Sequence, residues 1–157
     1  MKFLKALLMS VTAAIGLIFA TAAPSAAALP PDGKQVTCGT AGMGLGLYYN
    51  SGVAGSKRCI FGNVSNYAYN GTACTSQACP PYAYELDGKN GEGKLVKNNT
   101  ASVYNYSPFV VRVYVNSGWG GSWDSFPNYG YQGSSVWYGN LNTTYNNNAS
   151  QFMVYQT

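Results

Sequence analysis

The sequence contains no histidine and few acidic residues, which removes most familiar catalytic chemistry. Acid–base catalysis by an imidazole and a Ser-His-Asp triad both need a histidine, and none occurs among the 157 residues. A glycosidase needs two carboxylates across one cleft. The acidic residues are Asp32, Glu85, Asp87, Glu92 and Asp124. Because these acids leave few such pairs, we expect a protein that is not an enzyme and has no catalytic residues.

The sequence also lacks a cluster of basic residues. Nine lysines and arginines against five acids give a formal net charge of +4, and the basic residues are scattered along the chain. Nucleic-acid binding needs a concentrated basic face, so no nucleic-acid partner is expected. Four cysteines without a histidine exclude a His-containing zinc site, and in an exported chain they are better explained as disulfides. Composition therefore predicts no resident metal or cofactor.

One long apolar run is present, at residues 6–23. It follows Lys2 and Lys5 and is followed by the small-residue stretch 24–28, which is the layout of a secretory signal peptide over residues 1–28. No other run is long enough to span a membrane. We expect a secreted, extracellular protein with no membrane attachment after cleavage. The remaining 129 residues (157 minus 28) suit one domain.

After residue 28 the sequence has almost no helix signals, since it lacks an apolar stripe of period 3.6 and a capping box leading into one. Instead those 129 residues contain 18 glycines, 15 asparagines and 21 aromatics, a mixture typical of strands and turns. The sequence predicts an all-β domain, either a sandwich or a barrel, preceded by an N-terminal arm at 29–44. The predicted strands cover residues 45–50, 59–64, 82–86, 101–105, 109–115, 134–138 and 151–155.

An internal repeat organises this region. Residues 47–56 (LYYNSGVAGS) match residues 113–122 (VYVNSGWGGS) at six of ten positions, with an offset of 66. Residues 98–102 (NNTAS) match residues 146–150 (NNNAS) with an offset of 48. The first copy therefore carries 18 extra residues (66 minus 48), which we place at about 72–95.

The repeated pattern is Tyr-x4-aromatic-x-Gly followed by a late Asn pair and Ser, and it resembles the Greek-key motif of the beta-gamma-crystallin superfamily. Its residues are Tyr114, Trp119, Gly121 and Ser150 in the second copy, and Tyr48, Val53 in the aromatic position, Gly55 and Ser102 in the first. The resemblance covers residues 45–157. It implies one beta-gamma-crystallin-like sandwich of two Greek keys, the first at 45–108 with the insertion and the second at 109–157.

These motif residues have structural roles first. Gly55 and Gly121 permit a folded hairpin with positive φ, and Ser102 and Ser150 are expected to hydrogen-bond to its backbone. In many members of the superfamily the same region builds calcium sites. The resemblance makes the candidate calcium ligands Asn99, Ser102, Asn147 and Ser150. Because both leading pairs are asparagines without a carboxylate, we expect weak calcium binding at most.

The four cysteines allow three pairings, and the sequence alone does not choose among them. We favour Cys38 with Cys59, and Cys74 with Cys79. The second pair would clasp a surface loop followed by two prolines, and a tolerated insertion is the simpler explanation of that loop. A rigid, clasped surface loop could also enter the cleft of a protease and block it. The candidate inhibitory loop consists of Cys74, Thr75, Ser76, Gln77, Ala78 and Cys79.

This chain is rich in tyrosine and contains the motif Asn-Asn-x-Ala-Ser. In these two features it is similar to a group of exported members of the superfamily, the actinobacterial proteins of peptidase inhibitor family I36. That family is named for inhibition of thermolysin-type metalloproteinases. The resemblance implies a non-catalytic proteinase inhibitor, a monomer whose partner is an extracellular protease.

Two other functions compete with inhibition. The second copy is rich in aromatics, which favour a module that binds carbohydrate or the cell envelope, or acts as an antimicrobial toxin. A weak calcium-binding structural protein is the other. The aromatics are Trp119, Trp123, Phe126, Tyr129, Tyr131, Trp137 and Tyr138.

Overall fold

Eight β-strands and one short 3-10 helix form the architecture of this chain in a computed structural model, which describes residues 33–39, 44–73, 79–128 and 138–154. No α-helix occurs in these ranges, and the all-β prediction is confirmed. The strands are β1 (Lys34–Val36), β2 (Leu45–Asn50), β3 (Ala54–Phe61), β4 (Ser102–Asn105), β5 (Val110–Asn116), β6 (Gly120–Phe126), β7 (Tyr138–Asn140) and β8 (Ser150–Val154), and the 3-10 helix is Gly71–Ala73. Within the same ranges, no helix has the length and apolar character needed to span a bilayer. The expected signal peptide, residues 1–28, lies outside the described residues.

The strands form two antiparallel sheets. The first has the order β1-β3-β2-β4-β7 and the second the order β6-β5-β8. Alternation along β5 sends one face inward, where Val111 and Val113 are buried, while Arg112 lies on the other face. The inward residues of both sheets belong to one hydrophobic core, which includes Leu45, Leu47, Ile60, Val103, Val111, Val113 and Met153.

The two halves of the chain exchange segments between the sheets. Strand β7 follows β6 in the chain but pairs with β4 at the edge of the first sheet. In the other direction, Val64 follows β3 but forms an isolated bridge with Gln151 of the second sheet. Strand β7 of the second half therefore completes the first sheet, and one bridge from the first half reaches the second sheet, so contacts in both directions tie the halves into one core.

The sequence repeat corresponds to a repeat of hydrogen bonds. The backbone N–H of Asn98 donates to the carbonyl of Asn148 at 2.8 Å, and that of Asn146 donates to the carbonyl of Thr100 at 2.9 Å. With the sequence offset of 48, Asn98 corresponds to Asn146 and Thr100 corresponds to Asn148, so each bond is the repeat counterpart of the other. The Asn-Asn segments of the two copies are therefore hydrogen-bonded to each other.

Several strand boundaries differ from the prediction. Strand β3 begins at Ala54, not at residue 59, because the preceding turn occupies only residues 51–53. Part of the predicted arm forms β1, which pairs with β3. Strand β6 was not predicted, because its sequence GGSWDSF lacks a run of β-branched residues and lies at a sheet edge. Of the strand predicted at 134–138, residues 134–137 lie outside the described part.

The strand predicted at 82–86 does not form. Tyr82 and Tyr84 do alternate inward and are both 1% exposed. However, the backbone N–H groups of residues 82, 84 and 85 donate to three different segments, at Tyr67, Lys94 and Lys57. Because the segment has no single partner strand, it shows the alternating burial of a strand but forms only one described β-bridge, between Ala83 and Leu95.

The disulfide between Cys38 and Cys59 is present, with Cα atoms 5.2 Å apart, as favoured from the sequence. It links the residues after β1 to β3 across 21 positions. A bridge closing a loop of this length contributes about 3 kcal/mol to stability. Cys79 is also disulfide-bonded. Cys74, its predicted partner, lies outside the described residues.

Part of the insertion covers the first hairpin. The backbone N–H of Ser56 donates to the carbonyl of Asn90 at 2.8 Å, and its hydroxyl donates to the carboxylate of Asp87. Ser56 is fully buried, whereas its repeat equivalent Ser122 is exposed. Residues 87–93 therefore make the two hairpins unequal, and the second hairpin is the more open one.

Asp124 of β6 orders the turn that leads to the second Asn-Asn segment. Its carboxylate accepts hydrogen bonds from the backbone N–H groups of Asn142, Thr143 and Thr144 at 3.0, 3.2 and 2.9 Å, and from the Thr144 hydroxyl at 2.7 Å. Desolvation opposes ionisation of this carboxyl, but these hydrogen bonds outweigh it. The pKa of Asp124 therefore lies below its ordinary value.

We expect Asp124→Asn to lower the free energy of unfolding at pH 7 by about 1.5–3 kcal/mol, since an amide cannot replace a carboxylate that accepts four bonds. A carboxyl with a lowered folded pKa stabilises the protein above its unfolded pKa of about 3.9, and this stability is lost as the pH falls through the folded pKa. Urea unfolding between pH 7 and pH 2 should show the difference from wild type shrinking below about pH 4. A difference that is constant over this range would contradict the assignment, and Glu85→Gln controls for the change in net charge.

Candidate functional site

The two segments that flank residues 74–78 are joined at their base. The backbone N–H of Asn70 donates to the carbonyl of Pro80 at 2.7 Å, and that of Tyr82 donates to the carbonyl of Tyr67 at 3.0 Å. The 3-10 helix Gly71–Ala73 follows directly on the first side. The segments on either side of residues 74–78 are therefore hydrogen-bonded to each other, and we call this paired point the loop base.

The loop base is anchored in the core. Tyr67 and Tyr82 are almost fully buried and meet edge to face, with ring centroids 6.3 Å apart. The Tyr67 hydroxyl donates to Oε1 of Gln151 at 2.9 Å, and the Tyr82 hydroxyl donates to the carbonyl of Gly33 at 2.6 Å. Burial raises the pKa of Tyr67 well above its usual value, so its hydroxyl remains a donor. These buried hydrogen bonds connect the loop base to β8 of the second sheet and to Gly33, the residue before β1 of the first sheet.

Gln151 holds this arrangement together, although the sequence pattern marked it only as part of the strand predicted at 151–155. Its side-chain Nε2 donates to the carbonyl of Gly62 at 2.8 Å, while its backbone exchanges two hydrogen bonds with Val64. It is fully buried. A buried amide needs such partners, and here they connect β8 to the segment that leads to the loop base. A polar residue at an inward position of a strand was the one available signal.

The surface beside the loop base is open. Cys79 and Pro80 are exposed, and Tyr69 is 60% exposed. A depression of about 240 Å³ lies there, with Tyr69, Gly71 and Cys79 among its lining residues. A partner that engaged the loop would meet these residues next.

Of the predicted inhibitory loop, the structure describes only its last residue, Cys79, which is disulfide-bonded and exposed. The other five residues lie outside the described part of the chain. They are Cys74, Thr75, Ser76, Gln77 and Ala78.

The glycine positions of the repeated motif have the expected backbone. Gly55 and Gly121 have φ of 76° and 74°. The residues two positions earlier, Val53 and Trp119, also have positive φ, of 53° and 60°. A left-handed conformation at a bulky side chain is uncommon, so the two hairpins share a specific folded-over turn.

The motif serines hold these hairpins. The Ser102 hydroxyl donates to the carbonyl of Asn50 at 2.6 Å and accepts the backbone N–H of Val53 at 2.9 Å. In the second copy, Ser150 donates to the carbonyl of Asn116 at 2.6 Å and accepts the N–H of Trp119 at 3.2 Å. The motif tyrosines are also buried, and their carbonyls accept the N–H groups of Ala101 and Ala149; these tyrosines are Tyr48 and Tyr114.

The four candidate calcium ligands lie beside these hairpins. Ser102 and Ser150 have the hydrogen bonds just described, and the Asn99 side chain donates to the carbonyl of Lys97 at 3.1 Å. The backbone N–H of Asn147 donates to Thr144. Among the described residues, no three histidine, cysteine or acidic side chains come together as a metal site. Weak calcium binding stays a prediction.

Comparisons of the chain with protein-family models, with curated proteins and with solved structures found no match. Assignment of a function therefore rests on the geometry of the chain itself.

Proposed function

We propose that the protein is a secreted, non-catalytic inhibitor of an extracellular protease, of the metalloproteinase type, and that residues 74–79 form its inhibitory loop. The observation that carries the proposal is the closed loop base, where Asn70 and Pro80 are hydrogen-bonded at 2.7 Å above buried tyrosines. The Cys38–Cys59 disulfide supports an oxidising, extracellular location.

A closed base is what an inhibitory loop requires. An inhibitory segment enters the protease cleft in the way that a substrate does. It binds tightly only if it loses little conformational entropy on binding. Here the disulfide of Cys79 and the following Pro80 and Pro81 restrict the chain on one side, and the 3-10 helix begins directly after Asn70 on the other. A disulfide between Cys74 and Cys79 would also hold the two ends together after cleavage, so that product would not leave.

We also propose that the fold is a beta-gamma-crystallin-like pair of Greek keys, at 45–108 and 109–157. Two observations support it. The hairpin and its serine hydrogen bonds occur once in each half. Strand β7, from the second half, completes the first sheet.

Titration of the exported protein, with its disulfides formed, tests the inhibitor proposal. We expect stoichiometric inhibition of a thermolysin-like metalloproteinase with a dissociation constant of about 1 nM or below, since protease–inhibitor complexes are among the tightest known. A subtilisin-like serine protease, assayed in parallel by peptide hydrolysis, should be unaffected. Absence of inhibition of both enzymes at micromolar protein would overturn the proposal and leave the fold unaffected.

A further inference from the structure

The outer face of the second sheet carries aromatic side chains around a single cation. On β5, Arg112 pairs across the sheet with Phe152 of β8, and Tyr114 pairs with Trp123 of β6. Trp119, at the hairpin, contacts Phe152 edge to face with centroids 5.3 Å apart. We call Arg112, Trp119, Trp123 and Phe152 the aromatic face.

Two of these rings are open to solvent. Trp123 is 49% exposed and Trp119 is 38% exposed. Exposed indoles that lie on one continuous face are costly in water and commonly mark a binding surface. This face is on the hairpin that the insertion leaves uncovered.

Trp119 is also held in place. Its indole N–H donates to the carbonyl of Gln151 at 2.8 Å, and its backbone has φ of 60°. The equivalent residue of the first copy, Val53, has nearly the same φ of 53°, so the turn itself does not require an indole. An exposed ring that is already immobilised loses little entropy when a ligand covers it.

Arg112 supplies the charge of the aromatic face. Its guanidinium carbon lies 5.3 Å from the centre of the Trp123 ring, a cation–π contact. Within the part of the chain that the structure describes, the one ion pair joins Lys89 and Asp87, so Arg112 is in none there. Its Nε atom is buried without a hydrogen-bond partner. Because that atom is closed to solvent, an external anion would meet the terminal amino groups of the guanidinium, and no carboxylate among the described residues pairs with them.

We propose that the aromatic face binds an acidic polysaccharide, with the C–H face of a pyranose ring on an indole and the carboxylate of a uronic acid on Arg112. The electron-rich face of an indole attracts the polarised C–H groups of a sugar. A guanidinium presents a fork of donors that matches a carboxylate. A neutral glycan would leave that fork unused, and a nucleic acid would need several cations where this face has one. This proposal uses none of the residues of the inhibitory loop and does not rest on the proposed inhibition.

Affinity electrophoresis through gels that contain polygalacturonate, or dextran as the neutral polymer, tests the proposal, with calorimetry on galacturonate oligomers as the quantitative measurement. We expect retardation by polygalacturonate and none by dextran. Arg112→Gln and Trp123→Ala should each weaken oligomer binding about tenfold or more. The matched controls are Lys34→Gln, an exposed cation on β1, and Tyr145→Ala, an exposed aromatic outside the face; both should bind as wild type does.

Three results would overturn the proposal: no retardation of wild type, equal loss in Lys34→Gln and Arg112→Gln, or binding of dextran or single-stranded DNA as tight as that of polygalacturonate. If Trp123→Ala lowers the melting temperature, the Trp123→Phe variant is used in its place. Competition by free galacturonate oligomers, which should release wild type from polygalacturonate, gives a test without any substitution. Metalloproteinase inhibition by Arg112→Gln should equal that of wild type, so failure of either proposal is visible by itself.

Discussion

Replacement of residues 75–78 by Gly-Ser-Gly-Ser should abolish metalloproteinase inhibition, with a loss of at least about 100-fold, while the melting temperature stays that of wild type. The loss is expected because a few side chains at the centre of an interface carry most of its binding free energy, and because glycine raises the entropy that the loop must lose on binding. The fold should be spared, because the buried contacts of the loop base come from Tyr67 and Tyr82, which are unchanged.

Two paired cysteine variants make this result specific. Cys74→Ser with Cys79→Ser keeps the loop side chains but removes the proposed clasp, and should weaken inhibition and allow the protease to cut the chain. Cys38→Ser with Cys59→Ser removes the other disulfide and should lower the free energy of unfolding by about 3 kcal/mol. At temperatures where this variant is still folded, it should inhibit as strongly as wild type. Full inhibition by the Gly-Ser-Gly-Ser variant would place the inhibitory site elsewhere on the molecule.

Gly121→Ala should lower the free energy of unfolding by about 2–5 kcal/mol. Among substitutions that add a side-chain group without deleting a contact, it is the one from which we expect the largest loss of stability. A Cβ at this position would lie 2.6 Å from Cγ2 of Val115 and 2.8 Å from Nδ2 of Asn116. Val115 is β-branched and has little rotamer freedom with which to move away. The backbone of Gly121, with φ of 74°, is also unfavourable for any residue with a side chain.

Gly118→Ala separates these two causes. Gly118 lies in the same hairpin with φ of 73°, but a Cβ there would have no atom within 4 Å. This variant should lose only the backbone preference, about 1–2 kcal/mol. Equilibrium urea unfolding of both proteins measures the difference. Equal losses would show that the hairpin relaxes around the new methyl group and that close approach does not explain the glycine of the motif.

The hairpins were predictable because their geometry depends on residues that are close in sequence and occur twice. Both copies have a glycine with positive φ, a turn of three residues and a serine that bonds to the turn; these residues are Gly55, Gly121, Ser102 and Ser150. Their assignment to a Greek-key motif stays a prediction. Strand β2 was predicted with its observed bounds, since its apolar and aromatic residues favour a pleated, buried strand.

Other elements were missed where the local pattern and the environment disagree. Strand β6 is an edge strand of mostly exposed small residues, and its pairing is decided by β5, which lies next to it. Asp124 was listed only as one of few acids, yet it orders a turn about twenty positions away in the chain. Tyr82 and Tyr84 have the alternation of a strand, but their backbone partners come from separate segments.

The sequence by itself determined that the chain is built from strands and that one turn pattern occurs twice, because composition, turn residues and repeats act over short distances. Only the tertiary structure decided that β7 of the second half completes the first sheet, that the loop base is closed on buried tyrosines, and that Arg112 meets Trp123 on an open face. These features depend on contacts between segments that are distant in sequence. Which segments meet is set by the packing of the shared core, and a local pattern carries no record of it.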